Sequence, residues 1–192
     1  MIGRGYTIFD TAVGRCGIVW SQAGILSVQL PQAREIDTRR RLFQIHPEAR
    51  ELAPTANVGL AISGITALLR GGPADLADVT LDMEGIPPFN RRAYEFIRTI
   101  PRGETRSYDE VAAQLRVPSA AHAIAEVIAK NPFVIIVPCH RVLPTGGHAD
   151  QIAPNGGTIS KRHLLSIEGA QPSTAKTLFD VLLTVAPQRP HP

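Results

Sequence analysis

The sequence predicts an α/β fold of the α+β kind: a small N-terminal antiparallel sheet with helix, then a helical C-terminal unit containing a helix-turn-helix. Three observations predict it. Short β-leaning runs recur at close spacing near the N-terminus, apolar positions fall at helical spacing in the second half, and Glu84-Gly85-Ile86-Pro87-Pro88 separates the two regimes. The expected units are residues 1–84, a scaffold of mixed sheet and helix, residues 85–170, which carry the chemistry, and residues 171–192, a C-terminal tail.

In the first unit, residues 6–11, 17–20 and 25–30 are β-leaning runs divided by Ala12-Val13-Gly14 and Ser21-Gln22-Ala23-Gly24, the spacing of an antiparallel meander. Residues 35–50 are charged and helical in part. Residues 58–69 suit one helix, stopped by Gly71-Gly72-Pro73, and Val79-Thr80-Leu81-Asp82 is expected as a last strand. Cys16, beside Gly17-Ile18-Val19, is most simply core.

In the second unit, Ala93, Phe96, Ile97 and Ile100 are spaced for a helix that Pro101 and Gly103 end. Ser107-Tyr108-Asp109-Glu110 has the form of a capping box, opening a helix that buries Val111, Ala112 and Leu115. Arg116-Val117-Pro118 makes a short turn, and Ser119 is placed to cap the next helix. There Ala120, Ile124, Val127 and Ile128 form an apolar stripe, with Ala121, His122, Ala125, Glu126 and Ala129 on the other side. Two short helices and a tight turn are a helix-turn-helix or an ordinary helical hairpin. The alanine-rich outer face favours close approach to a groove over simple solvation.

Composition narrows the function. With 192 residues and 44% apolar content the chain can bury a substantial core. No apolar stretch approaches a membrane span and the first residues lack a signal peptide's apolar segment, so a cytoplasmic protein with no membrane partner is expected. The two cysteines lie far apart and the six histidines are scattered, so neither a disulfide framework nor a metal is expected, and no cofactor. Residues 1–84 carry 8 Lys+Arg against 9 Asp+Glu, a net of −1, whereas residues 85–192 carry 12 against 8, a net of +4. A positive second half suggests an anionic partner, nucleic acid first.

That half also holds Pro138-Cys139-His140-Arg141-Val142, directly after the β-branched run Phe133-Val134-Ile135-Ile136-Val137. The run is expected as a buried strand or core segment that delivers the cysteine to a fixed place. A thiol is mostly protonated at neutral pH, and cationic neighbours or a hydrogen-bonded base raise its thiolate fraction. Cys139 is therefore a candidate nucleophile, or a small core residue.

These pieces resemble the O6-alkylguanine-DNA alkyltransferases, the methylated-DNA-protein-cysteine methyltransferases. The resemblance rests on Ile100-Pro101-Arg102-Gly103-Glu104-Thr105-Arg106-Ser107-Tyr108, on Asn131-Pro132, on Ile136-Val137-Pro138-Cys139-His140-Arg141-Val142, and on Gly156-Gly157, Lys161, Leu164-Leu165 and Glu168. It implies a DNA-repair transferase used once, whose cysteine takes an alkyl group, typically methyl, from O6 of guanine in double-stranded DNA. It assigns Cys139 as acceptor, His140 as general base acting through a water oriented by Glu168, and Asn131 as the residue holding the active-site turn. Tyr108 is expected to crowd the target phosphate and donate a proton toward the leaving guanine. A monomer docking through the minor groove is implied, with Ala121, His122, Ala123, Arg106, Arg116 and Arg141 contacting DNA and Pro138, Pro154, Asn155 and Gly156 lining the pocket. A thiolate suits cleavage of an alkyl ether, a phenol can assist the leaving base, and a base inside a duplex must first be extruded.

The sequence departs from the family at three places. Ala120-Ala121-His122-Ala123 stands where the family has an intercalating arginine, so weaker base extrusion is expected from the shorter His122. Glu126 occupies the outer helix face, where it is either repelled by phosphates or tilted aside to pair with Lys130. Pro154-Asn155-Gly156-Gly157 replaces an aromatic lid. Two alternatives follow from these changes: a sensor that binds O6-alkylguanine without transfer, which would lack the acceptor cysteine, or a diverged relative acting on a different or bulkier lesion.

Overall fold

A computed structural model describes residues 3–118, 120–144 and 159–170. Strand β1 (Gly5–Thr11) turns through Ala12 and Val13 into β2 (Gly14–Trp20), and β3 (Ile25–Gln29) pairs with β2 with a register shift at Val19/Trp20. These three form the antiparallel meander expected from their spacing. Helix α1 (Glu35–Ile45) leads to β4 (Arg50–Glu51), which pairs parallel to β1 and completes the order β3-β2-β1-β4. Strand β4 is two exposed polar residues, too short for any pattern to announce.

Alternation along β1 and β2 fills both faces of the sheet. Tyr6 and Val19 meet Leu42 of α1 on one side, while Cys16, Ile18 and Trp20 meet α2 (Ala56–Leu69) on the other through Val58, Ala61, Ile65 and Leu68. Gly17 is where α1 comes close, since a Cβ there would lie 2.9 Å from Leu42 Cδ1.

The strand expected over Val79-Thr80-Leu81-Asp82 does not form. Only Leu81 bridges to Ile25, with Ile25 N donating to Thr80 O and Asp82 N to Ile25 O. Side chains take over the adjoining backbone groups: Asn57 bonds both Thr80 N (2.9 Å) and Thr80 O (3.0 Å), and Asp82 Oδ1 accepts from Glu84 N. With Thr80 N held by Asn57 and Glu84 N by Asp82, the segment does not extend beyond its bridge to Ile25.

The second half opens with α3 (Pro88–Arg98), whose first position is Pro88 itself, so the proline pair starts a helix as well as ending a loop. Strand β5 (Arg106–Ser107), α4 (Tyr108–Gln114) and α5 (Ala121–Ala129) follow, then a buried turn, a 3₁₀ turn at Cys139–Arg141, β6 (Val142–Leu143) parallel to β5, and α6 (Lys161–Glu168). The apolar run 133–137 is core but not strand; it makes only isolated bridges to Val28 and within itself. Ile135 sits at φ 74, which reverses the chain and is a strained conformation for a β-branched residue. Val134, Ile135 and Ile136 enter the core of the sheet and α2, whereas Phe133, Val137 and Cys139 enter that of α3, α4 and α5.

Candidate active site

The turn that carries Cys139 is held by one amide side chain. Asn131, 1% exposed, donates from Nδ2 to Val137 O (3.0 Å) and accepts at Oδ1 from Phe133 N (2.9 Å), closing the loop over residues 131–137. Outside it, Val28 N donates to Pro132 O at 2.8 Å, which ties the turn to β3. Pro138 then starts the 3₁₀ turn, where Cys139 N donates to Val137 O and Arg141 N to Pro138 O. Cys139 is 1% exposed at the head of that turn.

Its neighbours form a buried polar chain. His140 Nε2 lies 2.8 Å from Glu168 Oε1, and Arg141 donates from Nε and Nη2 to the same carboxylate and from Nη1 to Ile100 O at 2.6 Å. Burial opposes the Glu168 charge, but the bonds from His140 and Arg141 prevail and hold its pKa down to about 2. Burial pushes the His140 pKa down, with Glu168 working against it, so the imidazole is neutral at pH 7. An ionised acceptor at Nε2 assigns the proton to that nitrogen, leaving Nδ1 as a lone pair. Nδ1 is buried and has no hydrogen-bond partner among the described residues.

Burial also pushes the Cys139 thiol up, so its resting form is protonated. Several groups work the other way, foremost the Lys161 charge, then Asn131 and the backbone N–H groups of Cys139 and His140. Lys161, 6% exposed, starts α6 behind the Ser160 cap, and its Nζ lies 3.5 Å from both Tyr108 OH and Val142 O. It also stands 5.8 Å from the centre of the Tyr108 ring. Tyr108 is placed by the capping box the sequence announced: Glu110 N donates to Ser107 Oγ (3.1 Å) and Ser107 N to Glu110 Oε2 (2.6 Å).

From Tyr108, α4 runs to a turn where Arg116 is exposed at φ 61, and α5 follows. On α5, Ile124, Val127 and Ile128 are buried, Ala121, Ala123 and Ala125 are half-buried, and His122, Glu126 and Ala129 face outward. The His122 side chain is 90% exposed. Glu126 pairs with His122 Nε2 at 3.3 Å and with Lys130 Nζ at 3.5 Å, so it tilts along the helix to both neighbours one turn away.

A thiol, a base, an orienting carboxylate and a phenol thus meet beside two short helices joined by a turn. The family profile described as 6-O-methylguanine DNA methyltransferase, DNA binding domain, matches residues 88–170. A methylated-DNA–protein-cysteine methyltransferase of Mycobacterium leprae is 42% identical over 120 residues, spanning 62% of this chain and 70% of the relative. This chain belongs to that family. The fold extends the likeness: a crystal structure of Mycobacterium tuberculosis O6-methylguanine methyltransferase superposes with TM-score 0.67 and 31% identity, covering 92% of this chain and 99% of that one. Another, of Mycobacterium tuberculosis OGT in complex with DNA, superposes with TM-score 0.68 and 28% identity over 86% of this chain and 93% of that one.

Within this family frame, Cys139, His140, Asn131 and Glu168 converge, and Tyr108 joins them through Lys161. Glu168 touches the imidazole itself, so what it orients directly is His140. Arg141 requires a correction: it was expected to contact DNA, but it is 7% exposed with its guanidinium committed to Glu168 and Ile100 O. Arg106 is on the surface, paired with Glu104 at 2.8 Å. Pro138 lines a cavity of about 260 Å³ on the rear of the active-site turn, shared with Ile135, Ile136, Arg98, Arg102 and Arg141. Pro154, Asn155 and Gly156, the Ser119 cap and the tail from residue 171 lie outside the described residues; the N-cap position of α5 is Ala120. Among the described residues no group of three or more His, Cys, Asp or Glu could hold a metal, and no helix is long and apolar enough to cross a membrane. Cys16 is fully buried in the sheet core with its thiol pushed up to about 12 by burial. The residue that sequence reasoning quoted but left without a role is Lys161. Its signal was a lysine directly after a serine cap, which ordinarily marks a solvated first turn.

Proposed function

We propose that this chain repairs DNA by direct reversal, with Cys139 taking the alkyl group from O6 of guanine in a single displacement. The sulfur forms a bond to the alkyl carbon as the bond from that carbon to O6 breaks. The thiol proton passes through one water to Nδ1 of His140, and the guanine leaving group takes a proton from Tyr108 OH. Glu168, held ionised by Arg141, keeps the His140 proton on Nε2 and stabilises the imidazolium that forms. Lys161 favours the thiolate and adjoins the phenol. The thioether has no route back to a thiol here, so each molecule acts once.

DNA is the partner, and the helix pair α4 and α5 is its docking element. We place α5 in the minor groove of duplex DNA, bound by a monomer, with the half-buried alanines 121, 123 and 125 permitting close approach and His122 reaching toward the vacated base position. The observation that carries the proposal is the buried chain from Arg141 through Glu168 to His140 beside Cys139, because such a chain activates a thiol and a purely structural cysteine has no use for one.

The test is intact mass after incubation with a duplex containing O6-methylguanine, and separately with free O6-benzylguanine. One methyl or one benzyl group per chain, lost in Cys139→Ala, is the expected result. Tight lesion binding with no mass change would replace the proposal with a sensor.

A further inference from the structure

Ile135, Ile136, Pro138 and Arg141 also line an open cleft of about 260 Å³ together with Arg98 and Arg102. One polar tie from its wall reaches the end of α6. Arg102, half-buried, donates from Nη2 to Gly71 O at 2.6 Å, just past α2, and to Ile167 O at 3.3 Å, the residue before Glu168. Gly71 takes a φ of +79, a conformation that glycine adopts without strain and that lets the chain turn just past α2.

We propose that Arg102 is a positioning residue for alkyl transfer, fastening the C-terminal end of α6 to the end of α2 so that Glu168 keeps its contact with His140. It acts through the backbone of Ile167, touches no reacting atom, and makes the first-half scaffold part of the proton path. Resting as it does on the alkyl-transfer reading, the role has a definite chemical consequence. While Glu168 sits 2.8 Å from Nε2, the imidazole is held with Nδ1 free to accept a proton. If the end of α6 shifts, the proton distributes over both nitrogens and the fraction of competent base falls. Arg98 provides a contrast: its Nη2 donates to Leu76 O, Ala77 O and Val79 O, which ties α3 to the first half without reaching α6.

The experiment compares Arg102→Met, Arg102→Gln, Arg102→Lys and Arg98→Met with the wild type. Melting temperature, the pH profile of transfer from O6-benzylguanine, and the ¹⁵N shifts of the His140 ring are measured for each. Arg102→Met and Arg102→Gln are expected to slow transfer near pH 7 by roughly tenfold, part of what a general base supplies. They should also move the rise of rate to lower pH, because the carboxylate that holds the His140 pKa up has been loosened, and give His140 shifts of mixed tautomers. Arg102→Lys keeps a cation one bond shorter and should restore only part of the rate, and Arg98→Met should lower the melting temperature while His140 keeps the wild-type tautomer. Arg102→Gln keeps the comparison alive if the methionine variant does not fold. Lower melting temperatures with wild-type ring shifts and pH profile in the Arg102 variants would overturn the role. The ring shifts do not depend on transfer, so a wild type that takes up neither a benzyl group nor a methyl group from an O6-methylguanine duplex would sink the alkyl-transfer reading and leave the tie decided separately.

Discussion

Replacing Glu126 with glutamine should strengthen DNA binding, and its size follows from the outer face of α5. Between His122 and Lys130 the helix carries one acidic group, paired at 3.3 Å and 3.5 Å with its neighbours. Glu126 and Lys130 cancel, and Glu126→Gln leaves Lys130 uncompensated on this face. In the free protein little is lost, because exposed pairs one helical turn apart contribute only about 0.3–0.5 kcal/mol each. On DNA, a phosphate about 7 Å from the carboxylate repels it by roughly 0.6 kcal/mol at the dielectric of water, a factor of about three. Lys130, released from its partner, gains one phosphate contact and should steepen the slope of log K against log salt by about 0.9. Affinity for a duplex should therefore rise roughly three- to tenfold near 50 mM salt and converge on the wild type as salt increases. Fluorescence anisotropy titrations over a salt series measure both quantities. An unchanged affinity with an unchanged slope would show that α5 does not present this face to the phosphates, and the minor-groove docking would fall with it.

Arginine at His122 should also tighten duplex binding at fixed salt, since it adds a permanent charge and a longer reach to a side chain 90% exposed; equal or weaker binding would show that this position does not enter the groove. Asn131→Ala leaves Phe133 N unpaired in the core, while Val137 O keeps its bond from Cys139 N, so urea unfolding should report a loss of about 1–3 kcal/mol, and a loss well below 1 would mean that the turn holds itself. Glu168 has a folded pKa near 2 against an ordinary 4.5, so its stabilisation is complete above pH 4.5 and disappears as pH falls through about 2. Unfolding free energies taken from pH 5 downward should show that decline, on the order of 3 kcal/mol, and a flat curve would mean that the carboxylate is not held by His140 and Arg141.

What the sequence disclosed depended on how locally each feature is decided. The hairpin of β1 and β2, the Ser107–Glu110 capping box and the apolar stripe of α5 are set by residues within a few positions of one another, and each appears where its pattern lies. Glu126 belongs with them, since its partners at i−4 and i+4 were in view. The segment 79–82 has strand-like composition and bonds to Ile25 on either side of Leu81, but Asn57, more than twenty residues away, takes up Thr80 N, so no longer ladder forms. The run 133–137 is as apolar as a buried strand; what bends it is the polar residue before it, through two bonds from Asn131. Local pattern gives the preference of a segment, and distant side chains decide whether that preference is realised.

Charge was the least local signal of all. The excess of basic residues in the second half pointed to nucleic acid, yet several of those charges never meet a phosphate. Arg141 is buried on Glu168, Arg98 and Arg102 cap backbone carbonyls of the first half, and Lys161 lies inside the site against Tyr108. The inference to DNA therefore reached the right partner by an overcount. Cations that would be free on the surface of an isolated helix are here drawn inward, where each meets a carboxylate or carbonyls that burial has stripped of water. Arg116 and Lys130 remain exposed beside α5, with Arg106 half-engaged by Glu104. On α5 itself the outer face sets one lysine against one glutamate, so the alanines, the reach of His122 and the charge of Glu126 decide how closely that face can approach an anionic partner.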